Sequence, residues 1–215
     1  MHIDTLSVGE IQANCYIVSS IITKNAILID PGDEYAKIKA FLDKKKLTAQ
    51  LIVHTHGHID HIQADNEFKL PVYVHKLDAE LLMSPDKNLS RFLSHPFSVN
   101  AKIKAVDDLA HITLDDISLE VLHTPGHTPG GICLKSDNVI FTGDTLFAGS
   151  VGRTDFPGAS CEQLMQSIRR RLLVFPDATI IYPGHGPYST IGKEKKLNPF
   201  LVSHKDGGDV AACSL

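Results

Sequence analysis

Four side chains that can bind a metal ion fall within six consecutive residues. This metal motif is His56-Gly57-His58-Ile59-Asp60-His61, and it follows the apolar run Leu51-Ile52-Val53. Burying any of these polar side chains without a partner would cost several kcal/mol. Imidazole nitrogen and carboxylate oxygen together suit zinc, iron or manganese. The motif therefore favours a metal site over a chance cluster of surface histidines.

Three further apolar runs lead into a candidate ligand that directly follows a glycine, at Gly126-His127, Gly143-Asp144 and Gly184-His185. Glycine permits sharp turns and a close approach of the backbone. If each run is a strand, the strand ends bring seven candidate ligands to one edge of the fold: His56, His58, Asp60, His61, His127, Asp144 and His185. Seven ligands are too many for one tetrahedral ion but enough for two ions with open positions.

The elements that must position these residues are short strands separated by turns and amphipathic helices. The patterns predict strands at 15–18, 26–29, 50–55, 72–74, 117–122, 132–135, 138–142 and 179–182. They predict helices at 35–46, 59–68, 77–83, after an N-cap at Ser160, and around 193–196. Two β-rich halves, each followed by an amphipathic helix, predict two sheets packed face to face with helices outside, an α/β fold of four layers.

Composition favours one globular domain, which we place at residues 1–205, with a flexible tail at 206–215. The chain has 215 residues, of which 43% are hydrophobic, and a net charge of −4. No stretch of basic residues indicates binding of nucleic acid. Residues 84–102 mix prolines with apolar residues, and both a loop that covers the site and a packed connector fit that pattern.

Four scattered cysteines, Cys15, Cys133, Cys161 and Cys213, form no C-x-x-C pair and predict neither a disulfide framework nor a thiolate zinc site. The N-terminus shows no secretory signal, and no apolar run is long enough to cross a membrane. The sequence therefore predicts a cytoplasmic protein without a membrane partner, and it indicates no oligomeric state.

The metal motif resembles the H-x-H-x-D-H signature of the metallo-β-lactamase-fold hydrolases, with the later ligands in matching order. The resemblance runs from about Ile11 to Pro187 and implies the αββα sandwich of that family. It implies that His56, His58 and His127 hold one ion and that Asp60, His61 and His185 hold a second. Asp144 would bridge the two ions, zinc first and iron or manganese as alternatives. Asp30, at the end of an early strand, is similar to a residue that fixes a ligand histidine.

The stretches Phe141–Phe147 and Gly149–Pro157 resemble the short glyoxalase-II-like branch, related to the hydroxyacylglutathione hydrolases. That resemblance implies hydrolysis of a small-molecule acyl thioester, S-lactoylglutathione or a related hydroxyacyl thiol. A hydroxide that bridges two metals would attack, with Asp60 and Asp144 as the catalytic residues. Arg153 and Tyr188 fall at or near family positions that bind substrate.

One departure from that branch concerns the C-terminus. Only about thirty residues follow His185, too few for the C-terminal helical domain of full-length glyoxalase II. Among the other histidines, His54 is the strongest rival ligand, although packing or hydrogen bonding is favoured for it. His123 is a candidate for support behind the ligands.

Three alternatives stay open. A mononuclear-iron persulfide dioxygenase shares the Gly152-Arg153-Thr154-Asp155 segment and would use the ligands of the first ion. A non-catalytic metal-binding module would keep the ligands without turnover. β-Lactamase and phosphodiesterase activities are less favoured, because the motifs outside the ligands lean towards glyoxalase II.

Overall fold

The computed structural model describes residues 1–92 and 95–202. The predicted tail at 206–215, the predicted domain end at residue 205 and two positions of the segment 84–102 lie outside these ranges. In the described ranges, no helix has the length and apolar character needed to cross a membrane.

Two mixed sheets of six strands each form the centre of the molecule. The first sheet contains, in spatial and chain order, β1 (His2–Val8), β2 (Ala13–Ser19), β3 (Asn25–Ile29), β4 (Thr48–Val53), β5 (Val72–His75) and β6 (Ile103–Val106). β7 (His111–Leu114), β8 (Ile117–His123), β9 (Ile132–Ser136) and β10 (Val139–Gly143) belong to the second sheet. A small hairpin of β11 (Leu146–Phe147) and β12 (Ser150–Val151) follows, and β13 (Ile180–Pro183) and β14 (Ser189–Thr190) complete the second sheet beyond β10.

Three apolar clusters separate four layers, as the sequence predicts. In β3, Ala26 and Leu28 face the helices outside the first sheet, whereas Ile27 and Ile29 face the second sheet. Such strands are apolar on both sides because both faces are covered. In β10, Phe141 packs between the sheets and Ile140 packs against the helices outside the second sheet. The predicted αββα sandwich is confirmed.

The helices lie mostly where the sequence predicts them: α1 (Tyr35–Lys45), α2 (Ile59–Ile62), α3 (Asp65–Phe68), α4 (Ala79–Met83), α5 (Cys161–Ser167), α6 (Ile191–Leu197) and α7 (Pro199–Val202). Ser160 caps α5, since its side chain accepts a hydrogen bond from the Gln163 amide at 3.3 Å. After α5 the chain continues as a wider π-helical stretch over Ile168–Leu172. The capping pattern at Ser160 therefore gave a correct helix start.

The single helix predicted at 59–68 is wrong, because the chain breaks between α2 and α3. The His61 carbonyl accepts a hydrogen bond from the Gly32 amide at 2.9 Å, and the Ala64 amide donates to the Gly32 carbonyl at 2.6 Å. In a continuous helix, the His61 carbonyl and the Ala64 amide would instead form hydrogen bonds within the helix. The turn after β3 therefore ends α2 and holds it beside the strand ends.

The segment 84–102 contacts the rest of the fold through its described residues. Asn88 is buried; its carbonyl accepts from the Ile59 amide at 2.9 Å, and its side chain donates to the Phe97 carbonyl at 2.9 Å. Val99 is buried in the cluster beneath the first sheet. These contacts favour the packed connector for the described part of the segment.

Candidate metal centre

Three imidazoles form the first group of candidate ligands. One ring nitrogen from each of His56, His58 and His127 lies within 4.8 Å of the others, and all three side chains are buried. His58 Nδ1 and His127 Nε2 lie 2.9 Å apart. Three neutral imidazole nitrogens on one point are a common zinc-binding arrangement.

The second group contains Asp60, His61 and His185, again within 4.8 Å. Asp60 Oδ2 lies 3.1 Å from His185 Nε2 and 3.4 Å from His61 Nε2. Asp144 stands between the groups: its Oδ1 is 3.6 Å from His61 Nε2, and its Oδ2 is 3.6 Å from His127 Nε2. The structure thus brings together all seven residues singled out in the sequence.

These side chains come from strand ends of both sheets and from α2. β4 leads into His56 and His58, and β10 and β13 lead into Asp144 and His185. Gly184 makes room for this convergence, because a Cβ placed there would lie 2.1 Å from Asp144 Oδ1 and 2.9 Å from His61 Cε1. The glycine before His185 is therefore required by close approach.

Contacts at Nδ1 orient three histidines: two are hydrogen bonds to backbone carbonyls, and the third is a close approach to a carboxylate. His127 Nδ1 donates to the Arg153 carbonyl at 2.7 Å, and His185 Nδ1 donates to the Ile11 carbonyl at 3.2 Å. His61 Nδ1 lies 3.1 Å from Asp30 Oδ2. A histidine with Nδ1–H engaged presents a lone pair at Nε2, which is the form that binds a metal.

Asp30 also orients His56, through Thr55. The Thr55 hydroxyl donates to Asp30 Oδ2 at 2.6 Å, and the Thr55 amide donates to Oδ1 at 2.8 Å. Because that hydroxyl proton is already engaged, His56 Nδ1 is the donor in its 3.2 Å contact with Thr55 Oγ1. Asp30 therefore contacts His61 directly and His56 through Thr55, and its role in supporting the ligands stays a prediction.

The electrostatics differ between the two groups. Burial, followed by the neighbouring histidines, lowers the pKa of His58 to about 3 and holds that of His56 well below its usual range. Burial opposes the charged form of His61, but Asp60, Asp30 and Asp144 outweigh it and raise its pKa. Burial alone would raise the pKa of Asp60, yet His61 and His185 lower it strongly. His56 and His58 therefore supply neutral imidazoles, and the second group attracts positive charge.

A divalent cation fits this centre. His56 Nε2, His61 Nε2 and Asp144 Oδ1 are buried and have no hydrogen-bond partner in the described structure. An unsatisfied buried polar group costs about 1–3 kcal/mol. All three atoms belong to the groups above, so ions held by the two groups would satisfy them.

His54 is not part of either group. Its Nε2 lies 2.7 Å from Asp65 Oδ2, and its Nδ1 lies 3.4 Å from Asp30 Oδ1, with all three side chains buried. Burial opposes the charge on His54, but Asp65 and Asp30 raise its pKa to about 9. His54 therefore packs behind the centre, as the sequence analysis favours.

His123 supports the loop that carries His127. It does not support the ring of a ligand histidine. Its ring stacks on His75 with centroids 4.1 Å apart, and its Nε2 donates to the Pro129 carbonyl at 3.0 Å.

Asp78 is a supporting residue that sequence reasoning missed. This buried carboxylate accepts from the Gly57 amide at 3.2 Å, the Thr128 hydroxyl at 2.7 Å and the Gly130 amide at 2.6 Å. It joins the loop of His56 and His58 to the loop of His127. Burial raises its pKa, although these three hydrogen bonds oppose the shift. No local sequence pattern marks Asp78 as a supporting residue, because its hydrogen-bond partners lie far away in sequence.

A cavity of about 610 Å³ opens over the centre and is lined by His58, Asp60, His127, Asp144 and His185 together with mainly apolar residues. Arg153 lines the cavity as well. Tyr188 is exposed and does not line it, so its substrate-binding role stays a prediction.

Known proteins share this fold and length. The model of the metallo-beta-lactamase superfamily matches residues 8–185. The hydroxyacylglutathione hydrolase GloC of Haemophilus influenzae is 38% identical over 211 residues, covering 94% of this chain and 99% of GloC. The solved B3 metallo-beta-lactamase BLEG-1 superposes with a TM-score of 0.87 at 35% identity, covering 93% of this chain and 99% of BLEG-1. TTHA1623, solved in a di-iron-bound form, gives 0.82 at 36% identity, covering 92% of this chain and all (100%) of TTHA1623. The chain belongs to the metallo-beta-lactamase superfamily.

Proposed function

We propose that the protein is a metal-dependent hydrolase of acyl thioesters, with S-lactoylglutathione or a related hydroxyacyl thiol as substrate and two divalent cations as cofactors. The observation that carries the proposal is the pair of ligand groups sharing Asp144 at the base of the cavity. The relative GloC is named a hydroxyacylglutathione hydrolase, which supports an acyl thioester as the substrate. The di-iron-bound form of TTHA1623 supports two ions, with iron as a candidate as well as zinc.

Hydrolysis adds the oxygen of water to the acyl carbon and breaks the carbon–sulfur bond, which yields a carboxylate, a thiol and one proton. Divalent cations, when bound, supply Lewis acids that polarise a carbonyl oxygen and lower the pKa of water. Asp60 and Asp144 reach the cavity wall, so a carboxylate oxygen is available to hold the proton of the attacking water. A thiolate leaves readily without being protonated first.

The chain's own contacts keep the reacting groups in place. Hydrogen bonds from His127 Nδ1 and His185 Nδ1 to backbone carbonyls fix both rings before substrate binds. Phe156 packs edge-on against His58 with ring centroids 5.3 Å apart and helps to exclude water there. Such prior alignment accounts for a large part of catalysis in many enzymes.

The test is thiol release from S-lactoylglutathione by the full chain after loading with zinc or iron. We expect turnover that EDTA abolishes and that Asp144→Asn lowers by at least about a hundredfold, because this carboxylate contacts both groups. No thiol release from several acyl thioesters by protein containing two ions per chain would contradict the proposal. Oxygen consumption with glutathione persulfide instead would favour the dioxygenase alternative.

A second candidate is β-lactam hydrolysis, which the similarity to BLEG-1 favours. We rank it below thioester hydrolysis because an amide nitrogen needs a proton to leave, whereas a thiolate does not. Nitrocefin hydrolysis by the same metal-loaded protein distinguishes the two: a larger kcat/KM for nitrocefin than for every thioester would reverse the order.

A further inference from the structure

Apart from the candidate ligands, the cavity walls are mainly apolar, and this feature bears on the substrate of the proposed thioesterase. The apolar side chains are Ile11, Ile59, Leu89, Phe92, Phe147, Phe156 and Pro157. A cavity of about 610 Å³ is much larger than a lactoyl group requires. The walls therefore offer a binding surface for a larger hydrocarbon group.

Aromatic rings flank the centre on both sides. Phe156 lies beside the first ligand group, with its ring centroid 5.3 Å from that of His58 and 6.0 Å from that of His127. Phe147 lies beside the second group, 6.2 Å from the His185 ring. An acyl carbon held at the centre would thus place its substituent against one of these rings.

Two of the apolar side chains are exposed beside the centre. Phe92 is 80% exposed and Ile11 is 57% exposed. Leu89 enters the cavity from a backbone with φ of +71°, a conformation that is uncommon for a leucine. Covering such surface with a bound apolar group is favourable in proportion to the area removed from water.

The charged side chains of the cavity contribute little to binding a thiol that carries carboxylates, such as glutathione. Arg153 is the single lysine or arginine among the lining residues of the described chain. Its Nε and Nη2 donate to the two Asp155 oxygens at 3.0 and 2.6 Å, and its guanidinium lies 4.7 Å from the centre of the Phe156 ring. A carboxylate of glutathione must therefore compete with Asp155 for Arg153. The binding free energy it gains is only the difference between its own ion pair with Arg153 and the Asp155–Arg153 pair that it replaces.

From these contacts, and on the basis of the proposed function, we propose that the cavity selects thioesters by a branched or aromatic acyl group and makes little use of the glutathione carboxylates. The apolar surface around Phe92, Phe156 and Ile11 binds the acyl substituent. Asp155 keeps Arg153 from acting as a carboxylate receptor.

The acyl part is tested with S-mandeloylglutathione and S-lactoylglutathione, in which a phenyl group replaces a methyl group. Each kcat/KM of the metal-loaded full chain is divided by the rate of uncatalysed hydrolysis, so that intrinsic reactivity cancels. We expect a mandeloyl preference of at least about tenfold, since the phenyl group buries more apolar surface. A corrected ratio of one or below would overturn the inference.

Phe92→Ala tests the wall directly and leaves the core intact, because Phe92 is exposed. We expect the mandeloyl preference to fall by at least about threefold, because the phenyl group loses the apolar surface that Phe92 provides. Ile22→Ala, at a residue that is 74% exposed and does not line the cavity, is the matched control and should change neither rate. An unchanged preference in both Phe92→Ala and Phe156→Leu would contradict the role of the wall.

The thiol part is tested with lactoyl and mandeloyl esters of N-acetylcysteamine, which lacks carboxylates. In the wild-type protein we expect kcat/KM values within about threefold of the glutathione esters, because a glutathione carboxylate that binds Arg153 must displace Asp155 from it. Asp155→Asn releases Arg153 and should lower KM for the glutathione esters alone. A wild-type preference for glutathione above about tenfold would contradict this part.

The four thioesters separate two kinds of failure. Turnover without the acyl preference would overturn the inference and leave the thioesterase proposal standing. Absence of thiol release from all four esters by metal-loaded protein would overturn both.

Discussion

At the scale of single residues, Asp30 reaches a ligand histidine in each group, one directly and one through Thr55. It lies 3.1 Å from His61 Nδ1 and accepts hydrogen bonds from the hydroxyl and amide of Thr55, whose Oγ1 in turn contacts His56. One carboxylate thus sets the ring orientation of a ligand in each group. Its contribution is to the geometry of the site, because it does not line the cavity.

Asp30→Asn keeps the size of the side chain and removes its charge. We expect zinc affinity to fall by about 10- to 100-fold, as is typical when the partner of a ligand histidine is lost. Competition with a chromophoric chelator measures the change. Asp33→Asn, at a neighbouring but less buried carboxylate, is the control; equal affinities of the two variants would contradict the role of Asp30.

Gly184→Ala tests the close approach of the strand ends. The added methyl group would lie 2.1 Å from Asp144 Oδ1, so the carboxylate must move. We expect kcat/KM to fall by at least about tenfold, since small displacements of reacting groups have large effects on rate.

The matched control is Gly149→Ala, where a Cβ meets nothing within 4 Å although the positive φ of +76° disfavours alanine there. It should lower the thermal midpoint without lowering kcat/KM. If Gly184→Ala and Gly149→Ala had the same kcat/KM, the steric account would be wrong.

The ligand residues could be predicted from sequence because each follows an apolar run and a short motif of recognisable chemistry. Asp78 could not, since its three hydrogen-bond partners lie 21 to 52 residues away and nothing local marks the residue. Asp65 could not be predicted either, because it contacts His54 only as a result of the turn between α2 and α3. Tertiary contacts place Asp78 and Asp65, and nothing in the surrounding sequence marks them, whereas Asp30 could be predicted from its place at the end of an early strand in the family pattern.

At the scale of elements, the centre depends on two loops that leave different sheets. The loop after β4 carries His56 and His58, and the loop after β8 carries His127. Asp78, just before α4, accepts hydrogen bonds from both loops and so fixes the distance between them.

Asp78→Asn replaces an acceptor oxygen with a donor that faces N–H or O–H groups. Leaving one of these buried groups unsatisfied costs about 1–3 kcal/mol, so we expect both lower stability and weaker zinc binding by the first ligand group. Urea unfolding and chelator competition measure the two effects. Asp107→Asn, at an exposed carboxylate, should change neither. Lower stability with unchanged zinc affinity would show that Asp78 serves the fold alone.

Central strands could be predicted and most edge strands could not. β3 and β10 are apolar on both faces, which produces a continuous hydrophobic run. β1, β6 and β7, which lie at sheet edges, each expose two or three side chains and look like loop sequence. The break between α2 and α3 could not be predicted either. It is caused by hydrogen bonds with Gly32, which lies in a turn that is distant in sequence.

At the scale of the whole molecule, the centre exists only where both sheets meet. The first sheet and α2 supply His56, His58, Asp60 and His61, and the second sheet supplies His127, Asp144 and His185. Ions bound between them would be lost on unfolding, so metal binding stabilises the packed pair of sheets by mass action. Four layers could be predicted from the order of elements; the cavity and its apolar walls could not, because they are formed by loops from both halves.

Zinc titration of chelator-treated protein, followed by calorimetry and by elemental analysis of the bound fraction, counts the ions that the centre holds. We expect two ions per chain for the wild-type protein, one ion for His185→Ala, and no tightly bound ion when Asp144→Ala is combined with His56→Ala. Uptake of a single ion by the wild-type protein, or of two ions by His185→Ala with unchanged affinities, would contradict this expectation.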